Sequence, residues 1–211
     1  MVRKAAMDIA AWERFYEKRE RPWGGTVELP PLPQGARALE LGCGGGRLLV
    51  PLARRLSKAG GGAELVGMDL SRNALSALRG DCPGRLVRGD AQRPPFREAS
   101  FDLVLCRHVL GHIPEDGRNR AAHECLLLLK KGGRLLFEGF STGDARFGKG
   151  QLTEEGTFLR GDGLLHHHFT SEEVLRLFWE ASSVEPRSHG WTERAGRELM
   201  RRESITAVIV R

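Results

Sequence analysis

Apolar residues in this chain recur in two rhythms that take turns. Short, nearly continuous apolar runs at Ala38–Leu41, Ala63–Asp69, Leu135–Phe140 and Ile205–Val210 read as strands. Helical signals separate them: Arg47 to Lys58 ends at the glycines from Gly60, Ser71 caps a helix to about Arg79, Asp116 to Lys130 follows Pro114, and Ser171 caps a helix to about Ser182. Alternation at this spacing predicts parallel βαβ units, whose ligands sit at the carboxyl ends of the strands. Ile9, Trp12, Phe15 and Tyr16 fall on one face of a helix predicted over Ala5–Glu20, which Pro22-Trp23-Gly24-Gly25 and Pro30-Pro31-Leu32-Pro33 then break. Late in the chain, Ser183–Ser188 and Ser204–Arg211 read as final strands. Arg194, Arg197 and Arg201 recur at three and four residues, which predicts a basic helix face over Thr192–Glu203.

One stretch breaks the rhythm. Ser141 to Phe169 is rich in glycine and scattered charge, carries His166-His167-His168, and has no period of its own. A long connection of this kind is usually functional, so residues 141–170 are expected to form a substrate-facing lid. With 211 residues, the reading is one domain over 1–211, in which 1–36 supply a cap helix and linker.

Composition narrows the classes. No run approaches the length of a membrane span and no apolar signal core opens the chain, so a cytoplasmic protein without a membrane partner is expected. Cys43, Cys82, Cys106 and Cys125 show neither zinc-knuckle nor disulfide spacing, and no metal is expected. A net charge of +6 favours anionic partners and keeps RNA open.

The most informative chemistry lies in Glu40-Leu41-Gly42-Cys43-Gly44-Gly45-Gly46. Glycines at alternate positions let backbone approach a ligand, and the next helix offers free N–H groups. A dinucleotide fingerprint would need a third small residue where Arg47 stands. Glu40 at the strand end repels a pyrophosphate and attracts a cation, so the expected ligand carries positive charge.

At this point the chain resembles the class I S-adenosylmethionine-dependent methyltransferases, over most of its length and at stations in order. Val66-Gly67-Met68-Asp69-Leu70-Ser71 is similar to the end of that family's second strand; Gly89-Asp90-Ala91 with Pro94-Pro95-Phe96 to the loop after the third. Phe101 through Leu110 resembles the fourth strand and the residues lining the transfer site, and Leu126–Phe140 the helix, turn and fifth strand. The resemblance implies an α/β fold, a Rossmann-like doubly wound seven-stranded sheet, mostly parallel with one antiparallel strand and helices on both faces. It implies S-adenosylmethionine as cofactor, S-adenosylhomocysteine as product, and binding by Tyr16, Glu40, Gly42, Cys43, Gly44, Asp69, Leu70, Asp90, Ala91 and Cys106. Asp69 would take the ribose hydroxyls, Asp90 the adenine amino group and Tyr16 the cofactor carboxylate, with Trp12 and Trp23 in the cap.

A sulfonium methyl is already activated, so positioning supplies most of the rate and a base is needed only for a protonated acceptor. His108 is the expected base, with Arg107, His112, His167 and His168 lining the acceptor site. Leu105-Cys106-Arg107-His108 replaces the Asp/Asn-Pro-Pro-aromatic box of enzymes that methylate amino groups of DNA bases. A small-molecule acceptor is the leading reading. The alternatives are tRNA or other RNA, which a likeness of His168–Glu173 to a stretch of tRNA wobble-uridine methyltransferases keeps open, and a cofactor-binding regulator without turnover.

Overall fold

The computed structural model describes residues 8–18, 30–60, 62–80, 82, 84–196 and 198–211. Trp23, the stretch 22–25 and Arg197 lie outside the described residues. The chain begins with helix α1 (Ile9–Lys18), then β1 (Arg37–Leu41), α2 (Leu49–Ala59), β2 (Glu64–Asp69), α3 (Arg72–Ala77), β3 (Arg85–Arg88) and β4 (Phe101–Arg107). A single 3-10 turn at Leu110–His112 leads to α4 (Glu115–Leu128) and β5 (Leu129–Phe140). The last part holds β6 (Gln151–Glu154), β7 (Thr157–Leu159), β8 (Leu165–His167), α5 (Ser171–Leu177), β9 (Ser183–Ala195) and β10 (Glu198–Val210).

Seven of these strands form one sheet in the order β3-β2-β1-β4-β5-β10-β9. β3, β2, β1, β4 and β5 run parallel, while β10 lies antiparallel between β5 and β9, as expected for Ile205–Val210. Strand alternation divides the core. On β1 and β4, Leu39, Leu41, Val104 and Cys106 cluster with α4 and α5 residues such as Ala121, Cys125 and Val174, whereas Ala38, Leu103 and Leu105 pack with Leu49, Leu52, Leu75 and Leu78 of the α2–α3 side. Each such leucine withdraws apolar area worth about 1.5–3 kcal/mol, which is why both faces of these strands read as apolar in sequence. At Gly67 on β2, an added Cβ would run into Leu49, so glycine lets α2 lie close on the strand. The result is a doubly wound sheet with helices on both faces.

Two expectations change. Thr192–Glu203 is not a helix: β9 and β10 form a hairpin whose turn holds Gly196 at φ +65°, and Arg194 pairs with Leu199 and Arg201 with Thr192. The strand-forming run Ile205–Val210 templates β9, and the ladder continues outward over thirteen positions on each strand, overriding the helical spacing of the arginines. The segment after β5 is not patternless either, because β6, β7 and β8 make a separate antiparallel sheet. A smaller shift concerns α5, whose cap is Thr170, accepting from the Glu173 amide at 3.2 Å, while Ser171 is its first residue.

Candidate active site

The strand ends of β1 and β2 carry the glycine loop. Gly42, Gly44 and Gly46 all take positive φ, at 65°, 50° and 78°, which weaves the loop tightly between its neighbours. The Cys43 amide donates to the Met68 carbonyl at 3.0 Å, and the Gly44 amide to Asp69 Oδ2 at 2.8 Å. Asp69 Oδ1 accepts from the Ser71 amide at 2.9 Å. Burial still outweighs these amides and raises the Asp69 carboxyl above its ordinary range.

Helix α1 is fastened across this loop by Glu13, a residue the sequence gave no reason to single out. Its carboxylate accepts from Ser71 Oγ at 2.8 Å and from the amides of Arg72 and Asn73 at 2.9 and 3.0 Å, so α1 closes the open N-terminus of α3. That clamp sets Tyr16 against Gly44, where an added Cβ would meet the phenol oxygen. Trp12 stacks on Tyr16 and meets His112 edge-on at 4.9 Å.

Glu40 is buried beneath the loop with Oε2 unpartnered among the described residues. Burial, reinforced by Asp69 and opposed by Arg107, lifts its pKa to about 8. A buried carboxyl left half-satisfied at the lip of a glycine cradle fits a cationic ligand, whose charge would draw it into the ionised form. Cys43 lies beside it, its thiol pushed well above the usual range by burial and then by Asp69 and Glu40.

Across the cavity, the other half of the site stands on the ends of β4 and β5. His108 holds φ +54°, a left-handed backbone rare for such a side chain, and its amide donates to the Glu138 carbonyl at 2.7 Å. Glu138 Oε1 lies 3.3 Å from His108 Nε2, and Glu138 Oε2 accepts from Arg107 Nε at 2.6 Å. Burial opposes ionisation of Glu138, but His108 and Arg107 together win and hold its pKa at about 2. His108 rests on the Phe140 ring at 4.3 Å and leaves Nδ1 buried without a partner among the described residues. His112 uses Nδ1 on the Leu165 carbonyl at 2.6 Å, and burial depresses its pKa to about 4.

One cavity of about 730 Å³ joins the two halves. That volume suits a small-molecule site. Its wall includes Tyr16, Glu40, Gly42, Cys43, Gly44, Asp69, Leu70, Asp90, Ala91, Arg107, His108 and His112, so the structure brings most of the expected residues to one space. Three do not line it. Cys106 is fully buried in the core and hydrogen-bonded to Cys125. His167 turns away to Thr157 Oγ1 and Glu173, each at 2.8 Å, and His168 is wedged between Phe147 and Phe158. His166 lines the cavity instead, because β8 alternates sides and only its first histidine points inward. Burial, with His112 next, pushes the His166 pKa to about 2. Among the described residues, no group of three or more His, Cys, Asp or Glu could hold a metal ion.

Sequence reasoning missed Glu138, Phe140, Arg146, Trp191 and Arg202, which also line the cavity. Glu138 had a signal, an acid at the end of a buried strand like Glu40 and Asp69. Phe140 ends the same strand, and the others come from the segment after β5 and from the hairpin, whose positions local pattern does not give.

A doubly wound sheet with β10 reversed sets an acid-flanked glycine loop and the strand-end Asp69 on the wall of one cavity, an arrangement that fits a ligand of positive charge. The chain belongs to the class I S-adenosylmethionine-dependent methyltransferase family. A methyltransferase domain model matches residues 39–137. A protein of Encephalitozoon cuniculi named as a methyltransferase is 31% identical over 85% of this chain and 90% of its own. A tRNA N(3)-methylcytidine methyltransferase of Drosophila melanogaster is 30% identical over 82% of this chain, which spans 58% of that protein. A ubiquinone biosynthesis O-methyltransferase of Alkalilimnicola ehrlichii is 34% identical over 49% of this chain and 41% of its own. A solved S-adenosylmethionine-dependent methyltransferase from Methanosarcina mazei superposes with a TM-score of 0.70 at 20% identity, over 87% of this chain and 99% of its own. S-adenosylmethionine is thus the cofactor.

Proposed function

We propose that the protein methylates a small-molecule acceptor by direct in-line transfer, with His108 as the base that takes the acceptor's proton. One observation carries this reading: His108, whose Nδ1 has no partner among the described residues, and the half-satisfied Glu40 line the same cavity. Glu40, Gly42, Gly44, Asp69, Leu70, Asp90, Ala91 and Tyr16 are the residues that would hold the cofactor. When bound, it supplies an activated sulfonium methyl.

The chain's own contribution is position and proton. Ionised Glu138 accepts the Nε2 proton of His108, which leaves the lone pair on Nδ1. This tautomer is assigned from the hydrogen-bond network. An acceptor hydroxyl or amino group against Nδ1 can then shed its proton as it attacks, for roughly 10²–10⁴-fold in rate. Alignment contributes more, about 7–11 kcal/mol in favourable cases. The sheet β6–β8 serves as the lid, with Asp162 and Leu164 of the β7–β8 loop and His166 of β8 on the cavity wall to exclude water.

RNA stands second, on the tRNA-methylating relatives from fly and human. Against it, the hairpin intersperses Arg194 and Arg201 with Glu193, Glu198 and Glu203, and Arg201 is bonded to Glu203 at 2.8 Å. Tritiated cofactor incubated with fractionated cell extract separates the readings. Label in small solutes supports the proposal, label in RNA replaces it, and no transfer at all favours a cofactor-binding regulator.

A further inference from the structure

We infer that the acceptor half of the cavity grips an oxyanion of the methyl acceptor, a carboxylate or phosphate group, through the guanidinium of Arg146. This rests on the small-acceptor reading above and names its chemical class.

Arg146 is held from one side only. Its amide and Nε both donate to Asp144 Oδ1, at 3.0 and 2.9 Å, and its guanidinium lies 3.9 Å over the Phe140 ring. The side chain is only 18% exposed, yet Nη2 is buried with no partner among the described residues. Buried guanidinium donors are costly when left unpaired, and a ligand oxygen at the cavity wall removes that cost.

Charge points the same way. Asp144 is shared: its Oδ2 accepts from Arg202 Nε at 2.8 Å, so one carboxylate answers two guanidinium groups. Arg202 has a second carboxylate partner in Glu193, and Arg107 is engaged by Glu138. Arg146 has Asp144 alone. Burial, followed by the neighbouring Arg202, depresses its pKa, as expected for a cation short of negative charge. A planar guanidinium with a free edge is suited to a carboxylate or phosphate.

His108 and Arg146 both pack on the Phe140 ring, at 4.3 and 3.9 Å from its centroid, so the base and the guanidinium share one side chain of the cavity wall. Trp191, His112 and His166 line the same cavity. An acceptor that carries both a hydroxyl or amino group and an oxyanion would use His108 and Arg146 together.

The test is calorimetry on the full chain saturated with S-adenosylhomocysteine, titrated with phenol, 4-hydroxybenzoate and phenyl phosphate. Wild type, Arg146→Gln and Arg146→Lys are compared. At least one anion should bind about tenfold or more tighter than phenol, the size of one charge-assisted bond. Arg146→Gln should erase the difference and Arg146→Lys keep part of it, while both variants still give the product's heat, which shows they are folded. Which anion prevails tells carboxylate from phosphate. Equal affinity for all three probes, no heat from any, or a preference that survives Arg146→Gln overturns the inference and leaves the methyltransferase reading standing. Absence of heat with S-adenosylhomocysteine itself overturns both.

Discussion

Asp69 accepts the Gly44 amide at 2.8 Å, so the carboxylate ending β2 pins the glycine loop that follows β1. The same side chain takes the Ser71 amide with its other oxygen, and thereby joins the loop to the start of α3. Glu13 then brings α1 down on that junction. Two carboxylates thus organise the glycine loop and the helix laid over it.

Asp69→Ala should weaken binding of S-adenosylhomocysteine by about 1.5–3 kcal/mol, the loss of charged hydrogen bonding together with a looser loop. Calorimetry reads it directly, and unchanged affinity would remove Asp69 from the binding site.

Glu40 makes cofactor binding depend on pH. Its pKa of about 8 in the free protein means that it is mostly protonated at neutral pH. A cationic cofactor favours the carboxylate, so affinity should rise as pH is raised through about 8, with proton release below it. The free fold behaves oppositely: it binds this proton more tightly than the unfolded chain, so the contribution to stability is complete below the ordinary carboxyl pKa and is lost by about 8. Glu40→Gln should flatten both dependences. An affinity that stays level from pH 6 to 9 in the wild type would refute this role.

His108→Ala should lower kcat by roughly 10²–10⁴-fold while product affinity stays nearly constant. Glu138 is the proposed positioning residue, and Glu138→Gln should shift the pH profile of kcat, because a neutral amide no longer favours a protonated His108. Parallel losses in kcat and product affinity in His108→Ala would mean a structural role instead.

Gly44→Ala strains a φ of +50° and drives the new methyl into the Tyr16 hydroxyl. Cofactor affinity should fall by about 1–2 kcal/mol. Adding Tyr16→Phe should recover part of the loss, since it removes the oxygen that the methyl meets. If the double variant binds no better than Gly44→Ala alone, the contact with Tyr16 is not what the glycine protects.

Asp69 and Asp90 were singled out through family likeness, while much of the parallel half of the sheet, the glycine loop and Glu40 were legible in the chain itself. Their signals are local: strands buried on both faces read as unbroken apolar runs, and a turn that needs positive φ three times shows its glycines. The reversed β10 was anticipated through family likeness, and its β-branched content marked it as a buried strand.

What the sequence left undecided is where distant segments meet. Arg194 and Arg201 have helical spacing, but a ladder running thirteen positions along each strand outweighs it, because backbone pairing with a strand already fixed in the core is not visible to a local pattern. The histidine tract is equally ambiguous in one dimension; the side of β8 that faces the cavity was set by its pairing with β7, which turned His166 inward and His167 toward Glu173. Glu138 and His108, or Arg146 and Arg202 around Asp144, become partners only when β5, the lid segment and the hairpin converge on one strand end. Local chemistry marked a glycine cradle for a cationic ligand and family likeness named the cofactor; the tertiary structure decided which charges meet across the cavity, since long-range packing alone assembles them.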